Sequence, residues 1–218
     1  MEWAAPTLTR SPFQDPAMFQ TIKYEPSDFS RMPWKNGGGQ TTELARGGPR
    51  DQYTWRLSLA EIDVDGPFSR FPGMQRLISV IQGKGVHLNL ESQSRKVIVP
   101  FQTLSFDGDQ ETNCQLLGGP VQDINLIYSP RHVSPRWEWT RPGYSHGFNT
   151  SADTTLLFSP EFQTTITSDR FSPINLPRGH LLEIRNTTEP ANFEIKLTGS
   201  RCLIIGLTNR GPHNSSTP

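Results

Sequence analysis

The densest group of residues suited to ligand chemistry lies at positions 31–42, which spell RMPWKNGGGQTT. Three consecutive glycines cost conformational entropy on folding, so a chain keeps them where its backbone turns sharply or approaches something closely. Lys35 and Asn36 place a cation and an amide beside the glycines, which favours a ligand-approaching loop over the alternative of a plain linker. The segment is not a P-loop, because no Gly-Lys-Ser/Thr closes it and no strand–loop–helix pattern surrounds it.

A second candidate lies on residues 53–60, YTWRLSLA, where apolar and polar side chains alternate. Alternation places Arg56 and Ser58 on one face of a strand and the aromatic and leucine side chains on the other. If the apolar face packs against a second layer, Arg56 points into a β-walled cavity. A guanidinium there needs a carboxylate such as Glu61, or an anionic ligand held bidentately. The opposite orientation puts Arg56 in solvent, and periodicity alone leaves both open.

Three further places carry side chains with competing interpretations. Asp123 and Asn125 share one face of an alternating segment, which either lines a pocket or faces water. Asp107 belongs to an Asp-Gly pair, for which a turn is the preferred interpretation and a carboxylate in a site is the alternative. Phe68 and Phe71 lie between Gly-Pro and Pro-Gly turns and are interpreted as core plugs rather than as rings that stack on a ligand.

Metal and nucleophile motifs are missing from the sequence. The histidines are His87, His132, His146, His180 and His213. They form no His-x-His or His-x-x-x-His pair, and Cys114 and Cys202 lack metal-type spacing, so we expect no metal and no other cofactor. Both cysteines are predicted to be free, buried thiols in a reducing compartment. No Gly-x-Ser-x-Gly motif appears, and the catalytic residues, if there are any, stay unknown.

Charge and hydropathy exclude two classes of partner. Lys and Arg together number 21, as do Asp and Glu, so the chain has no electrostatic footprint for nucleic acid. No run of 18 apolar residues predicts a membrane span, and the first 20 residues do not resemble a secretory signal. We therefore expect a soluble, cytoplasmic protein that binds neither nucleic acid nor membranes.

The elements that position these residues are predicted to be short strands. With 18 glycines and 19 prolines, a helical bundle is disfavoured. Strands are predicted at residues 53–60, 75–81, 86–90, 97–99, 103–106, 123–128, 136–140, 154–158, 181–185, 192–197 and 202–207. Gly83 and Gly85 predict a hairpin between the second and third of these. The many short strands and turns indicate an all-β sandwich or barrel.

The sequence also suggests how the chain is divided. Residues 181–184 followed by a hairpin echo residues 77–80 followed by one, which suggests two β units. A flexible tail is predicted at residues 1–18 and a disordered polar tail at residues 209–218.

Four blocks, in this order and spacing, resemble the HutD/Ves family. They are RMPWKNGGGQTTELA, YTWRLSLAEIDVDGPFSRFPGMQRLISVIQGKGV, FDGD and LLGGPVQDINLIY, within residues 31–128. The resemblance implies a cupin-type, RmlC-like jelly-roll fold with two β-barrels in one chain. The double barrel would occupy residues 19–208, its first barrel centred on residues 50–130 and its second including residues 154–207.

The resemblance also implies a binding role in histidine utilisation, where relatives are proposed to bind a formylated glutamate intermediate and to moderate the pathway. The His-x-His motif of metal-dependent cupins is absent, since Asn89 stands where a second histidine would follow His87. We therefore predict metal-independent binding of a small anionic metabolite, such as an N-acyl amino acid or a dicarboxylate like formylglutamate. The predicted ligand-binding residues are Lys35, Asn36, Arg56, Ser58, Glu61 and Asn125.

Two alternatives belong to other functional classes. A cupin-fold isomerase or hydrolase would need a general acid or base. Its candidates are Glu61, Asp107, His87 and Lys35. An interaction protein, such as a homodimer, would use exposed tryptophans as interface anchors. These would be Trp3, Trp137 and Trp139.

Overall fold

The computed structural model describes residues 19–35, 37–49, 52–91, 96–187 and 193–211, and these are almost entirely β-structure. One 3-10 helix spans Pro26–Asp28. The strands are β1 (Phe19–Tyr24), β2 (Ser30–Pro33), β3 (Gly39–Gly47), β4 (Trp55–Ile62), β5 (Gly66–Pro67), β6 (Gln75–Gln82), β7 (Val86–Leu90), β8 (Lys96–Ile98), β9 (Thr103–Asp107), β10 (Thr112–Leu116), β11 (Val121–Tyr128), β12 (Val133–Trp139), β13 (His146–Thr150), β14 (Thr154–Phe158), β15 (Thr164–Ser168), β16 (Ile174–Leu176), β17 (Leu181–Asn186), β18 (Phe193–Gly199) and β19 (Leu203–Asn209). Within the described ranges, no helix is long and apolar enough to cross a membrane.

The chain divides into two compact units. The first unit comprises residues 29–133, and the second comprises residues up to 28 together with those from 134 onward. The first unit contains a six-stranded sheet, ordered β2-β3-β4-β11-β6-β9, and a four-stranded sheet, ordered β5-β10-β7-β8. The second contains a five-stranded sheet, ordered β1-β17-β14-β19-β12, and a four-stranded sheet, ordered β13-β18-β15-β16.

The two units share one topology. If the strands from β4 to β11 are counted from one to eight, one sheet runs 1-8-3-6 and the other 2-7-4-5; the strands from β12 to β19 repeat this order. This order of two four-stranded sheets is the jelly roll. The all-β, cupin-type fold class implied by the resemblance is therefore confirmed, although each barrel consists of two separate sheets and is not closed by a ring of hydrogen bonds.

The core of the first unit lies between its two sheets. Its buried members are Ala60, Ile62, Ile78, Val80, Val86, Leu88, Leu90, Ile98, Phe106, Cys114 and Val121. They occupy alternate positions of their strands, because alternate side chains of a strand face the same side of the sheet. Burying each large aliphatic side chain stabilises the fold by roughly 1.5–3 kcal/mol. Farther along β4 and β11 the same inward face turns polar, and this change creates the space described below.

The second unit has an apolar core that includes the N-terminal strand. Phe19 of β1 stacks on Phe193 at 5.6 Å between ring centroids and meets Phe171 edge-on at 5.9 Å. β1 pairs with β17 in antiparallel register, so the start of the described chain completes the second unit rather than the first. Cys114 and Cys202 are both free and buried, as predicted. Of the two predicted tails, residues 1–18 and 212–218 lie outside the described residues, whereas Asn209 still belongs to β19.

The predicted hairpin at Gly83 and Gly85 is wrong. β6 pairs with β9 and β11, whereas β7 pairs with β8 and β10, so the chain crosses from one sheet to the other at these glycines. Gly85 has φ +111°, and a Cβ there would collide with the carbonyl oxygen of Ile98. The glycines serve a close backbone crossing rather than a two-residue turn.

The predicted similarity between residues 77–80 and residues 181–184, each followed by a hairpin, is also wrong. β17 and β18 also lie in different sheets, so no hairpin joins them. In the shared topology the counterpart of β6 is β14, not β17, because each is the third strand of its jelly roll.

We expect Gly85→Ala to lower the free energy of unfolding by roughly 2–5 kcal/mol, since it combines a left-handed φ with a backbone clash. Gly119→Ala is the matched control, because Gly119 has φ +83° but nothing within 4 Å of its Cβ position. It should cost about 1–2 kcal/mol from the backbone angle alone. Urea denaturation measures both, and equal losses would show that the close crossing contributes nothing.

Candidate functional site

A cavity of ≈ 630 Å³ opens in the first unit at the polar end of its inward face. Its walls come from the loop after β2, the inner face of the six-stranded sheet and the segment after β5. The lining residues are Met32, Pro33, Trp34, Lys35, Thr41, Arg56, Ser58, Ala60, Pro67, Phe68, Ser69, Phe71, Arg76, Asp123, Asn125 and Ile127. Three of them are cations and only one, Asp123, is a carboxylic acid.

Strand register brings the polar groups of β4 and β11 together. Ser58 lies directly opposite Asn125, and both are buried in the cavity wall. Arg56 lies two residues before Ser58 on the same inward face, half-buried, while the intervening Leu57 is buried on the other face of the sheet. Of the two orientations that the alternation allowed, the structure therefore has the one in which the Arg56 guanidinium points inward.

Arg76 is the most deeply buried cation of the cavity. It lies on β6, is 5% exposed and holds its guanidinium against the rings of Phe68, Phe71 and Phe106, at 5.0, 5.5 and 4.9 Å from their centroids. Burial lowers the pKa of Arg76 to about 10, which leaves the side chain charged at neutral pH. Aromatic faces attract the cation without neutralising it, so its positive charge stays available to a ligand.

Phe71 links the two arginines, because the Arg56 guanidinium also lies 5.4 Å from its centroid. Phe68 packs against the edge of the core, as the interpretation of a core plug predicts. Both phenylalanine rings also line the cavity and contact guanidinium groups, which that interpretation did not include.

Asp123 is the only carboxyl group among the lining residues, and it is 2% exposed. Burial raises its pKa from 3.8 to about 7, an effect that the charge of Arg76 partly offsets. Four buried atoms of lining residues have no hydrogen-bond partner in the part of the chain that the structure describes: Oδ1 of Asp123, Oδ1 of Asn125, and Nε of Arg56 and of Arg76. A buried polar atom left unpaired costs about 1–3 kcal/mol, so these four atoms favour a polar partner inside the cavity.

The triple-glycine segment forms the turn between β2 and β3 and shapes the cavity rim. The backbone N–H of Trp34 donates to the carbonyl oxygen of Gly39 at 2.9 Å, and the indole N–H of Trp34 donates to Oγ1 of Thr41 at 2.8 Å. A Cβ at Gly39 would collide with the carbonyl oxygen of Glu61. Close backbone approach thus explains this glycine, and the turn places Trp34 and Lys35 at the cavity.

Four of the six predicted ligand-binding residues line this one cavity: Lys35, Arg56, Ser58 and Asn125. Asn36 lies outside the described residues. Glu61 occupies the opposite face of β4 from Arg56, accepts a hydrogen bond from the side-chain amide of Gln40, and does not line the cavity. It is therefore not the partner of Arg56.

The other acid–base candidates also lie elsewhere. Oδ1 of Asp107 accepts the backbone N–H of Asp109 in the predicted turn, and His87 alternates away from the core on β7. Arg76 was missed because it begins an apolar run that the sequence shows only as a buried strand. Among the described residues no three His, Cys, Asp or Glu side chains are grouped closely enough to hold a metal ion.

Asp123→Asn should abolish one component of the pH dependence of stability. Because folding raises the pKa of Asp123, the folded state holds its proton over the window from about pH 4 to about pH 7, and the free energy of unfolding falls as pH rises through it. From pH 5 to pH 8 we expect the variant to gain roughly 2–3 kcal/mol relative to the wild type, at about 1.4 kcal/mol per pH unit. Urea denaturation at both pH values measures this. The exposed Asp63→Asn is the control, and a gain independent of pH would contradict the near-neutral pKa.

The HutD family model matches residues 26–203 of the chain. An uncharacterised 21.2 kDa protein from the hutC 3' region of Pseudomonas putida is 38% identical over 179 residues, covering 81% of this chain and 92% of its own length. Protein Ves of Escherichia fergusonii is 33% identical over 105 residues, and the match covers 46% of this chain and 55% of Ves.

Two solved structures share both fold and sequence with the chain. A conserved protein of unknown function from Pseudomonas aeruginosa PAO1 has a TM-score of 0.81 at 33% identity, covering 87% of this chain and 99% of that protein. HutD from Pseudomonas fluorescens SBW25, solved in a formate condition, has a TM-score of 0.75 at 36% identity, covering 88% and 100%. With the family match across most of its length, the chain belongs to the HutD family.

Proposed function

We propose that this HutD-family chain binds a small anionic metabolite in the cavity of its first unit, using its own side chains rather than a metal. The observation that carries the proposal is the charge of the cavity, where Arg56, Arg76 and Lys35 face a single carboxyl group. A carboxylate ligand would pair with the unpartnered guanidinium N–H groups, and such charge-assisted bonds are the stronger ones in proteins. Without an anion, the buried Nε atoms of Arg56 and Arg76 have no acceptor among the described residues.

The size and lining of the cavity fit a metabolite of the predicted class. A volume of ≈ 630 Å³ lies within the usual range for small-molecule sites. Phe68, Phe71 and Trp34 offer apolar surface for a short aliphatic chain, while Ser58 and Asn125 offer neutral hydrogen-bonding groups. Arg56 and Arg76 would hold one carboxylate, and Lys35 at the rim is placed for a second acidic group. An N-acyl amino acid or a dicarboxylate such as formylglutamate has this distribution of groups.

The relatives support a place in histidine metabolism. The P. putida relative is named for its position beside hutC, and the P. fluorescens structure is named HutD. We therefore propose that binding of the metabolite moderates histidine catabolism, since a binding protein that responds to an intermediate reports the flux through its pathway.

A second candidate function is an isomerase or hydrolase, and one observation favours it. Asp123 faces the cavity with a pKa raised to about 7, which suits a general base near neutral pH. Turnover of formylglutamate by the purified protein, lost in Asp123→Asn, would move the assignment from binding protein to enzyme.

Arg56→Gln tests the anion site. We expect isothermal titration calorimetry to show binding of at least one of formylglutamate, glutamate and urocanate by the wild type. The variant should bind it about 30-fold to several thousand-fold more weakly, since loss of a buried charged contact costs about 2–5 kcal/mol.

Arg70→Gln is the matched control, because Arg70 is exposed, pairs with Asp109 at 2.9 Å and does not line the cavity. It should bind as the wild type does. Equal affinity of Arg56→Gln and wild type, or no heat with any of the three anions, would refute the proposed site.

A further inference from the structure

We infer that the ligand carries an N–H donor beside its anionic group, and that Asp123 is the acceptor that selects for this donor. The inference rests on the proposed function, which supplies the anion, and narrows the ligand to N–H-bearing carboxylates. Secondary amides of amino acids belong to this class, whereas simple dicarboxylates do not.

The surroundings of Asp123 leave Oδ1 of its carboxylate without a donor among the described residues. On β11 it lies opposite Ala60 of β4 and Val80 of β6, whose side chains have no polar atoms. On the facing sheet, burial and then the nearby charge of Asp123 raise the pKa of the Cys114 thiol. The charged groups lining the same cavity are Arg56, Arg76 and Lys35.

None of these groups donates to Oδ1 of Asp123, which has no partner among the described residues. At 2% exposure the residue also has almost no contact with bulk water. Above its pKa of about 7 Asp123 is ionised, and an ionised carboxylate only accepts hydrogen bonds, so the partner that Oδ1 lacks is then a donor. Because Asp123 lines the cavity, a bound ligand can supply that donor.

Simple dicarboxylates and secondary amides that carry a carboxylate differ in whether they can donate a hydrogen bond to Asp123. A simple dicarboxylate such as glutarate has acceptors alone at neutral pH, so it pairs with the guanidinium groups but leaves Oδ1 of Asp123 unsatisfied. A secondary amide with a carboxylate satisfies both, with its carboxylate on the arginines and its N–H on Asp123. Sites built to bond a donor strongly reject analogues that lack it, because the buried acceptor is then left unpaired.

The test is a pair of ligands that differ in one group, measured by calorimetry on the full chain at pH 8. N-acetylglutamate carries the amide N–H, and 2-acetoxyglutarate replaces that N–H by an ester oxygen with the same shape and charge. Glutarate, which has neither, serves as the plain dicarboxylate. We expect the amide to bind at least tenfold more tightly than the ester and the glutarate.

Asp123→Leu supplies the matched variant, because leucine has nearly the shape of aspartate and no acceptor. In this variant the ratio of amide to ester affinity should fall to near one. Should the variant not fold, the ratio in the wild type decides the question alone. A second readout is pH, since the affinity of the wild type for the amide should fall as Asp123 is protonated from pH 8 to pH 6.

The outcomes separate the two proposals. Equal affinity for amide and ester overturns the selection by Asp123 but leaves the anion site standing. Affinity that rises as pH falls shows that protonated Asp123 donates to the ligand, and this also overturns the inference. If none of the three anions binds, the proposed function fails and the inference fails with it.

Discussion

The cavity of the first unit depends on one arrangement: two guanidinium groups lie against aromatic rings inside a β-sandwich. Both groups face a single carboxyl group. Aromatic faces hold Arg56 and Arg76 in place but leave their charge uncompensated. Next to buried protein surface, that charge attracts an anion more strongly than it would in bulk water. The carboxyl of Asp123 cannot fully balance it, because burial favours its neutral form.

The fold makes this arrangement available in one jelly roll and not in the other. β12 occupies the place in the second unit that β4 occupies in the first. There Nη2 of Arg136 pairs with Glu138 of the same strand at 2.6 Å, and Nε2 of His146 lies 3.2 Å from the same carboxylate. Arg136 on β12 thus pairs with a carboxylate of its own strand, whereas Arg56 on β4 has no carboxylate partner among the described residues. The same topology thus carries a cation-lined cavity in the first unit and an ion-paired cluster in the second.

Part of the candidate site could be predicted from the sequence, because the alternation of apolar and polar residues is a local signal. It placed Arg56 and Ser58 on one face of β4, because residues two apart on a strand share a face. It left open whether that face points inward, and only the structure brings Lys35 and Asn125 to the same cavity. The wrong hairpin at Gly83 had another origin: which strands pair is decided by long-range packing, and a glycine that serves a backbone crossing looks like a glycine that serves a turn. Arg76 was missed because its aromatic contacts also depend on long-range packing. Phe106 lies on another strand, and Phe68 lies outside β6.

A crystal structure of the chain with N-acetylglutamate tests the central claim most directly. The account predicts electron density for the ligand in the cavity of the first unit, with a carboxylate within hydrogen-bonding distance of Arg56 and Arg76. Density elsewhere on the molecule, or an occupied cavity in which the carboxylate lies away from both arginines, would contradict it.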